Sequence, residues 1–213
     1  MSKLFLDILD DKRKDIFAKL KRFNNIGVLG GGTALALQIG HRISYDFDIF
    51  TNQKINKDIW RKSKDVFGKD SIKILENEDQ IDLITPNNIK ITFFNDDYKS
   101  FYSPVNSDSI SLMDLRDVSA NKALIQGKRP KWRDYVDLYF ILKDNHIAFE
   151  ELIGLSIKKF GTDFSEKLFL EQLVYWDDVK SYEIEFVKEE IKPEVIKDFL
   201  IETVKKYKRE SIS

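Results

Sequence analysis

Apolar and polar residues change their spacing once along this chain, between Tyr102 and Leu112. Before that stretch the pattern mixes helical intervals with short alternating runs. Leu4, Ile8, Leu9, Ile16, Phe17 and Leu20 recur at helical spacing among dense charges and predict one amphipathic helix over residues 3–23. Ile26 to Leu29 predicts a short buried strand, and three glycines, Gly30, Gly31 and Gly32, close it. Ala34 to Gln38 then predicts a short helix that Gly40 stops. From Ser44 to Phe50 the period is two: Tyr45, Phe47 and Ile49 fall on one side, Ser44, Asp46 and Asp48 on the other. A helix over 56–67 ends at Gly68, and strands follow over 71–75, 80–84 and 89–94. Pro86-Asn87-Asn88 supplies the turn between the last two.

After Leu112 alternation disappears. Residues 113–126, 131–143, 149–160, 165–176 and 193–209 each carry helical periodicity. Gly127, Pro130, Asn145, Gly161 and the Asp177-Asp178 pair stand at the breaks. Pro104, Asn106 and several serines mark the change of pattern, which divides the chain into an α/β domain over 1–105 and a helical domain over 106–213. The class expected from this order is α+β (α/β mixed), a sheet with flanking helices followed by a helical bundle.

Two stretches carry awkward chemistry for a purely structural role. Gly30 to Gly32 remove three Cβ atoms in a row, which lets backbone N–H groups approach a ligand closely. The helix that follows would present its N-terminus, with the Thr33 hydroxyl, to an anion such as phosphate. Asp46 and Asp48 on one side of a strand repel each other unless a cation or donors intervene. Hard oxygen ligands suit magnesium, which takes one or two carboxylates and completes its shell with phosphate and water. Arg42 lies between the two halves, placed to pair with a phosphate or with Asp46. The bland alternative is an edge strand with a solvated acidic face behind a glycine turn.

In the second half, Leu115, Val118, Lys122 and Ile125 fall on one helical stripe, so Lys122 interrupts an apolar face. Either an anion meets its ammonium or the side chain snorkels to solvent. The next helix is apolar nearly all round except for Asp134 and Asp137, three residues apart. Those acids either pair with Lys122, Arg133 or a helix N-terminus, or line a cleft.

GGT followed by HRISYDFDIF resembles the first motif of the AbiEii/AbiGii toxin family of nucleotidyltransferases, relatives of the DNA polymerase β superfamily. LMDLRDVSANKALIQGKRPKWRDYVDLYFIL is similar to the segment in which these proteins carry a functional lysine on one helix and an Arg/Lys-Asp-x-x-Asp-Leu sequence on the next. The resemblance implies a nucleotidyltransferase-like mixed sheet before the helical domain. It also implies a nucleoside triphosphate (NTP) substrate and Mg2+ held by Asp46 and Asp48. Gly31, Gly32, Thr33, Arg42 and Ser44 would bind the triphosphate together with Lys122 and Asp137. Asp134 would act as general base or complete the metal shell, with Asp137 beside it. Both Lys122 and Asp134 would reach the cleft that holds Asp46 and Asp48. Many relatives carry a third carboxylate on a later strand, where this chain has Thr92.

The implied function is magnesium-dependent transfer of a nucleoside monophosphate by the toxin of a toxin–antitoxin or abortive-infection pair. The acceptor would be RNA, including the tRNA end, or a protein hydroxyl, and a cognate antitoxin would be a partner. A phosphotransferase using the same cleft, or a degenerate nucleotide-binding protein, are the alternatives.

Composition narrows the rest. Lys and Arg number 35 against 36 Asp and Glu, so RNA contact requires a local patch. Lys128, Arg129, Lys131, Trp132 and Arg133 form one such cluster, and Lys205, Lys206, Lys208 and Arg209 another. The absence of cysteine removes disulfides, thiolate metal sites and cysteine nucleophiles, and two histidines exclude a multi-histidine site. No apolar run approaches membrane-spanning length, and no signal-peptide core stands at the N-terminus, so the cytoplasm is the expected compartment.

Overall fold

Short β-branched and aromatic runs in the first half make a sheet, and the longer periodic runs of the second half make only helices. The computed structural model describes residues 3–128 and 131–210. It divides into two compact units, Met1–Asp114 and Leu115–Ser213.

The first unit is built on five strands: β1 (Gly27–Gly30), β2 (Phe47–Thr51), β3 (Ile72–Glu76), β4 (Gln80–Ile84) and β5 (Lys90–Asn95). Their order in the sheet is β1-β2-β5-β4-β3. β2 runs parallel to β5, and every other neighbouring pair is antiparallel. The sheet is therefore mixed, as the resemblance implies. Helices α1 (Asp11–Leu20), α2 (Gly31–Ile39) and α3 (Lys57–Phe67) accompany it. Phe47, Ile49, Ile81, Leu83, Ile91 and Phe93 are fully buried on one face of the sheet. Phe23 packs there, 5.1 Å from the Phe93 ring and stacked on Phe67 at 5.3 Å.

The long N-terminal helix expected over 3–23 is broken into three pieces. A 3-10 turn at Leu6–Ile8 precedes α1, and another at Lys21–Phe23 follows it. The break falls at Asp10, whose carboxylate accepts from the Arg13 N–H at 2.8 Å and caps α1. A capping aspartate competes with continuation of the helix. β2 also starts later than its alternation suggests, at Phe47 rather than Ser44. Tyr45 is accordingly exposed, beneath the Arg13 guanidinium at 4.9 Å, and does not join the core.

Residues 111–113 extend the sheet beyond β1. Leu29 N–H donates to the Ser111 carbonyl at 2.9 Å, and Met113 N–H donates to the Leu29 carbonyl at 2.7 Å. Gln38 Nε2 also donates to the Met113 carbonyl, tying α2 to the same segment.

The second unit comprises α4 (Leu115–Gln126), α5 (Trp132–Lys143), α6 (Phe149–Phe160), α7 (Glu166–Gln172) and α8 (Pro193–Glu210). α7 is shorter than its apolar pattern, which runs on to Trp176. The carbonyls of Gln172 and Tyr175 instead accept from the Tyr135 hydroxyl, at 3.0 and 2.6 Å. Among the described residues no helix is long and apolar enough to cross a membrane.

Candidate active site

The site in the first unit grows from one turn. β1 ends at Gly30, and α2 begins at the next residue with no loop between them. The glycines are thus the end of a strand and the first turn of a helix. Gly30, as N-cap, has no side chain to cap the first amides of α2. Gly31 has φ +63°, a conformation that favours glycine, and a Cβ there would collide with Asp48 Oδ2. A Cβ on Gly32 would likewise meet the guanidinium of Arg42. Each glycine therefore makes room for one charged group.

Register explains why those groups arrive there. Gly30 pairs with Asp48 across β1 and β2, so the aspartate stands beside the start of α2. Asp46 lies just before β2, and both carboxylates are half-buried. The Thr33 hydroxyl donates to the Asp46 carbonyl and hydrogen-bonds the Ser44 hydroxyl at 2.7 Å. These bonds fix the approach to β2 from the inside, and Arg13 Nε, donating to the Tyr45 carbonyl at 3.1 Å, fixes it from the outside. Thr33 is itself only 2% exposed. The structure thus shows its hydroxyl as a tie between α2 and the Ser44–Asp46 segment.

Arg42 is buried, and its Nη1 donates to the Ile43 carbonyl at 3.0 Å. One acid and one guanidinium therefore flank a helix N-terminus. A phosphate drawn to the amides of Gly31 and Gly32 would meet repulsion from Asp48 unless a cation stood between them. Half-buried Asp46 and Asp48 each offer carboxylate oxygens, the hard donors that suit a magnesium ion completed by phosphate and water. Among the described residues no three His, Cys, Asp or Glu side chains converge as a metal-holding group. A two-carboxylate site of this kind does not need a third.

Thr92 and Asp82 continue the row. Asp48 pairs with Thr92 across β2 and β5, and Thr92 pairs with Asp82 across β5 and β4, so all three face the same side of the sheet. Asp82 is buried, meets Lys90 at 2.8 Å and accepts from Gln80 Nε2 at 2.6 Å. Burial pushes its pKa up, but the Gln80 amide, Lys90 and the Thr92 hydroxyl outweigh that and hold the carboxyl below its usual range.

In the second unit, Lys122 projects from α4 between two acids of α5. Its Nζ lies 2.7 Å from Asp134 Oδ1 and 2.6 Å from Asp137 Oδ2. All three side chains are buried. Asp134 Oδ2 also accepts from the Lys131 N–H at 3.3 Å, capping the start of α5. The lysine does not snorkel to solvent. The acids meet it directly.

The comparisons follow from this arrangement. A family model described as "Nucleotidyl transferase AbiEii toxin, Type IV TA system" matches residues 17–202. The chain belongs to the AbiEii nucleotidyltransferase toxin family. It is 29% identical over 184 residues to the uncharacterised Aquifex aeolicus protein aq_aa25, covering 84% of this chain and 86% of that one. The fold is similar to a crystal structure of a candidate nucleotidyltransferase from H. pylori, with a TM-score of 0.64 and 22% identity over 96% of this chain and 99% of that chain. It is also similar to MenT4, a nucleotidyltransferase toxin from Mycobacterium tuberculosis, with a TM-score of 0.60 and 12% identity over 90% of this chain and 80% of that chain. The protein is a toxin-family nucleotidyltransferase, which implies in general terms a nucleotide substrate and a cognate antitoxin.

Several residues of this AbiEii-family chain escape a reading of sequence alone. Arg13 is one, since nothing local links it to Tyr45, 32 residues away. Asp82 is another, because its place beside Thr92 depends on strand order. Asp117 and Lys159 form a fully buried pair at 2.8 Å between α4 and α6. The available signal was a lysine within the apolar pattern of α6. Trp132 is core, at 4% exposure, packed on Tyr135 and Tyr182, and is not an open stacking surface. Lys128, Lys131 and Arg133 are exposed, and Arg129 lies outside the described residues. Of the C-terminal cluster, Lys205 and Lys206 pair with Glu202 and Glu210.

Proposed function

We propose that this AbiEii-family protein transfers a nucleoside monophosphate from a nucleoside triphosphate to a hydroxyl of RNA, with magnesium held by Asp46 and Asp48. The observation that carries the reading is the meeting of Asp48 with the glycine-built first turn of α2, where Gly31 has no room for a Cβ. When bound by Asp46 and Asp48, the metal would supply positive charge that offsets the charge on the leaving pyrophosphate.

The chain's own groups do the rest. Amides of Gly31 and Gly32 cradle phosphate oxygens, and Arg42 supplies a fixed positive charge beside them. Thr33 and Ser44 hold the backbone that carries Asp46. Asp48 accepts the proton of the attacking hydroxyl, whose oxygen bonds to the α-phosphorus as the bond to the bridging oxygen breaks and pyrophosphate leaves. In the helical unit, Asp134 and Asp137 fix the charge and direction of the Lys122 ammonium. Exposed Lys128, Lys131 and Arg133 supply the local positive charge that RNA requires and support RNA over protein as acceptor.

The test is incubation with each triphosphate labelled at the α- or γ-phosphate, magnesium, and total cell RNA and protein. Label from the α-position on RNA is the expected result. α-Label on protein would move the acceptor class. γ-Label on either polymer would replace nucleotidyl transfer by phosphoryl transfer.

A further inference from the structure

We propose that Phe50 and Phe94 form a stacking platform for the base of the nucleoside triphosphate. The inference rests on the reading of the glycine turn and Asp48 as the phosphate and metal site, and extends it to the nucleoside.

Register places the two rings. Asp48 and Phe50 are two residues apart on β2, and Thr92 and Phe94 two apart on β5, so all four share one face of the sheet. Phe50 pairs with Phe94 across these parallel strands, as Asp48 pairs with Thr92. The rings therefore stand about 7 Å along the strands from that polar pair. Their centroids lie 5.5 Å apart, with the planes tilted by 35°. Phe47, Ile49, Ile91 and Phe93 alternate with this row and are fully buried, whereas Phe50 and Phe94 are only half-buried. Adjacent apolar rings kept partly open beside a charged site mark a ligand surface rather than core.

The glycine turn ties this surface to the triphosphate. A Cβ on Gly30 would collide with Cδ2 and Cε2 of Phe50, so the missing side chain lets that ring lie against the turn. Gly31 and Gly32 make room for Asp48 and Arg42 in the same way. Three consecutive glycines thus seat a ring, a carboxylate and a guanidinium in order. A triphosphate cradled by the amides of Gly31 and Gly32 has Phe50 as the adjoining apolar surface for its base. Aromatic rings on a sheet face bind bases by stacking, which every base supports because each has a π-face. The two rings are tilted, so a base lying flat on Phe50 meets Phe94 at an angle, and Phe50 carries more of the contact. The contact of Phe50 with the turn itself favours the triphosphate's own base over a base of the acceptor.

The experiment titrates wild type, Phe50→Leu, Phe50→Tyr, Phe94→Leu and Asp48→Asn by calorimetry in Mg2+, alongside the thermal midpoint of each. One set of probes is the α,β-methylene triphosphates of adenosine, guanosine, cytidine and uridine, taken in turn. The other probe is inorganic tripolyphosphate, which offers phosphates without a base. Phe50→Leu should weaken the tightest-bound methylene analogue by roughly tenfold and Phe94→Leu by roughly fivefold, with tripolyphosphate affinity unchanged in both. Phe50→Tyr, which keeps a ring, should bind like wild type. Leucine variants that hold the analogue as tightly as wild type would overturn the platform and leave the phosphate site standing. If those variants nonetheless transfer less nucleotide to RNA, the rings serve an acceptor base instead. Equal loss of both probes in Phe50→Leu would also overturn the platform, because the ring would then only brace the turn. Equal tripolyphosphate binding by wild type and Asp48→Asn would overturn the reading of Asp48 alone, and no binding of either probe to wild type would overturn both. If Phe50→Leu melts early, Phe94→Leu decides.

Discussion

Asp48 and Asp137 are both carboxylates on regular elements, yet their surroundings have opposite character. Asp48 is half-buried and faces a turn of backbone from which every Cβ has been removed. Asp137 is fully buried and faces the ammonium of Lys122 at 2.6 Å. In the first unit the backbone shapes the space around a charge, and side chains such as Thr33, Ser44 and Arg13 only brace it. In the second unit charges answer charges, in the Lys122 trio and again in the Asp117–Lys159 pair. The first arrangement leaves an acid half-exposed. The second removes ions from water and makes each one depend on its partner for stability.

Deleting one member of the fully buried pair should produce the largest effect. Lys159→Met leaves Asp117 charged with no lysine opposite it, and should cost roughly 3–5 kcal/mol of unfolding free energy. The double variant Asp117→Leu with Lys159→Met should recover most of that loss in urea melts. If the single variant is as stable as wild type, the helical unit does not depend on its internal ions, and the contrast with the turn is lost. Lys122→Met tests the same idea where function is also at stake. It removes the ammonium from between Asp134 and Asp137, so its melting point should fall as that of Lys159→Met does.

Asp48→Asn should do the reverse. It is nearly isosteric and sits at a half-exposed position, so the melting point should stay close to wild type. Nucleotidyl transfer should fall by at least about a hundredfold, the scale seen when preorganised charge at a reaction centre is removed. A stable protein with full transfer would show that the turn holds its acid for structural reasons alone.

The difference between the regions also explains what the sequence could show. The glycine run, the β2 alternation and the turn at Pro86-Asn87-Asn88 act over a few residues, and local spacing reveals them. The start of β2 was misplaced because the Asp46 carbonyl accepts from the Thr33 hydroxyl and the Tyr45 carbonyl from Arg13, neither a strand partner. The turn sets Asp82 opposite Thr92 across the β4–β5 hairpin, but no local pattern encodes the parallel pairing of β2 with β5 that brings Asp48 into the same row. Lys122 announced itself by interrupting an apolar stripe, with acids one helix away. Asp117 and Lys159 are 42 residues apart, so each looked unremarkable without the other.

Tyr135 sharpens the comparison at high pH. Its hydroxyl donates to the carbonyls of Gln172 and Tyr175, and burial pushes its pKa up to about 12. The unfolded tyrosine ionises near its ordinary value of 10.0, so the stabilisation is complete below that pH and is lost as pH rises through about 12. Two units correspond to roughly 3 kcal/mol across that window. Tyr135→Phe should be less stable at neutral pH, because two carbonyls lose their donor, and its stability should fall less between pH 10 and 12. Parallel slopes for the two proteins in urea melts would remove this group from the alkaline response.

The smallest effect belongs to the exposed cations that neither region uses internally. Lys128 sits at the surface just after α4 and Arg133 in the first turn of α5, near the trio in sequence but outside its ion pairs. Exposed charges contribute little to stability, so Lys128→Glu and Arg133→Glu should leave the melting point almost unchanged. If RNA is the acceptor, each lost phosphate contact should lower the slope of log affinity against log salt by about one, while triphosphate binding remains as before. The variants should therefore transfer less nucleotide to RNA than wild type at about 0.1 M salt. That deficit should narrow as salt rises, because salt weakens the wild-type contact too. A deficit independent of salt would mean the substitutions act through α5 and its buried acids instead of through RNA. Equal transfer at every salt concentration would take this surface out of the RNA path and favour a protein acceptor.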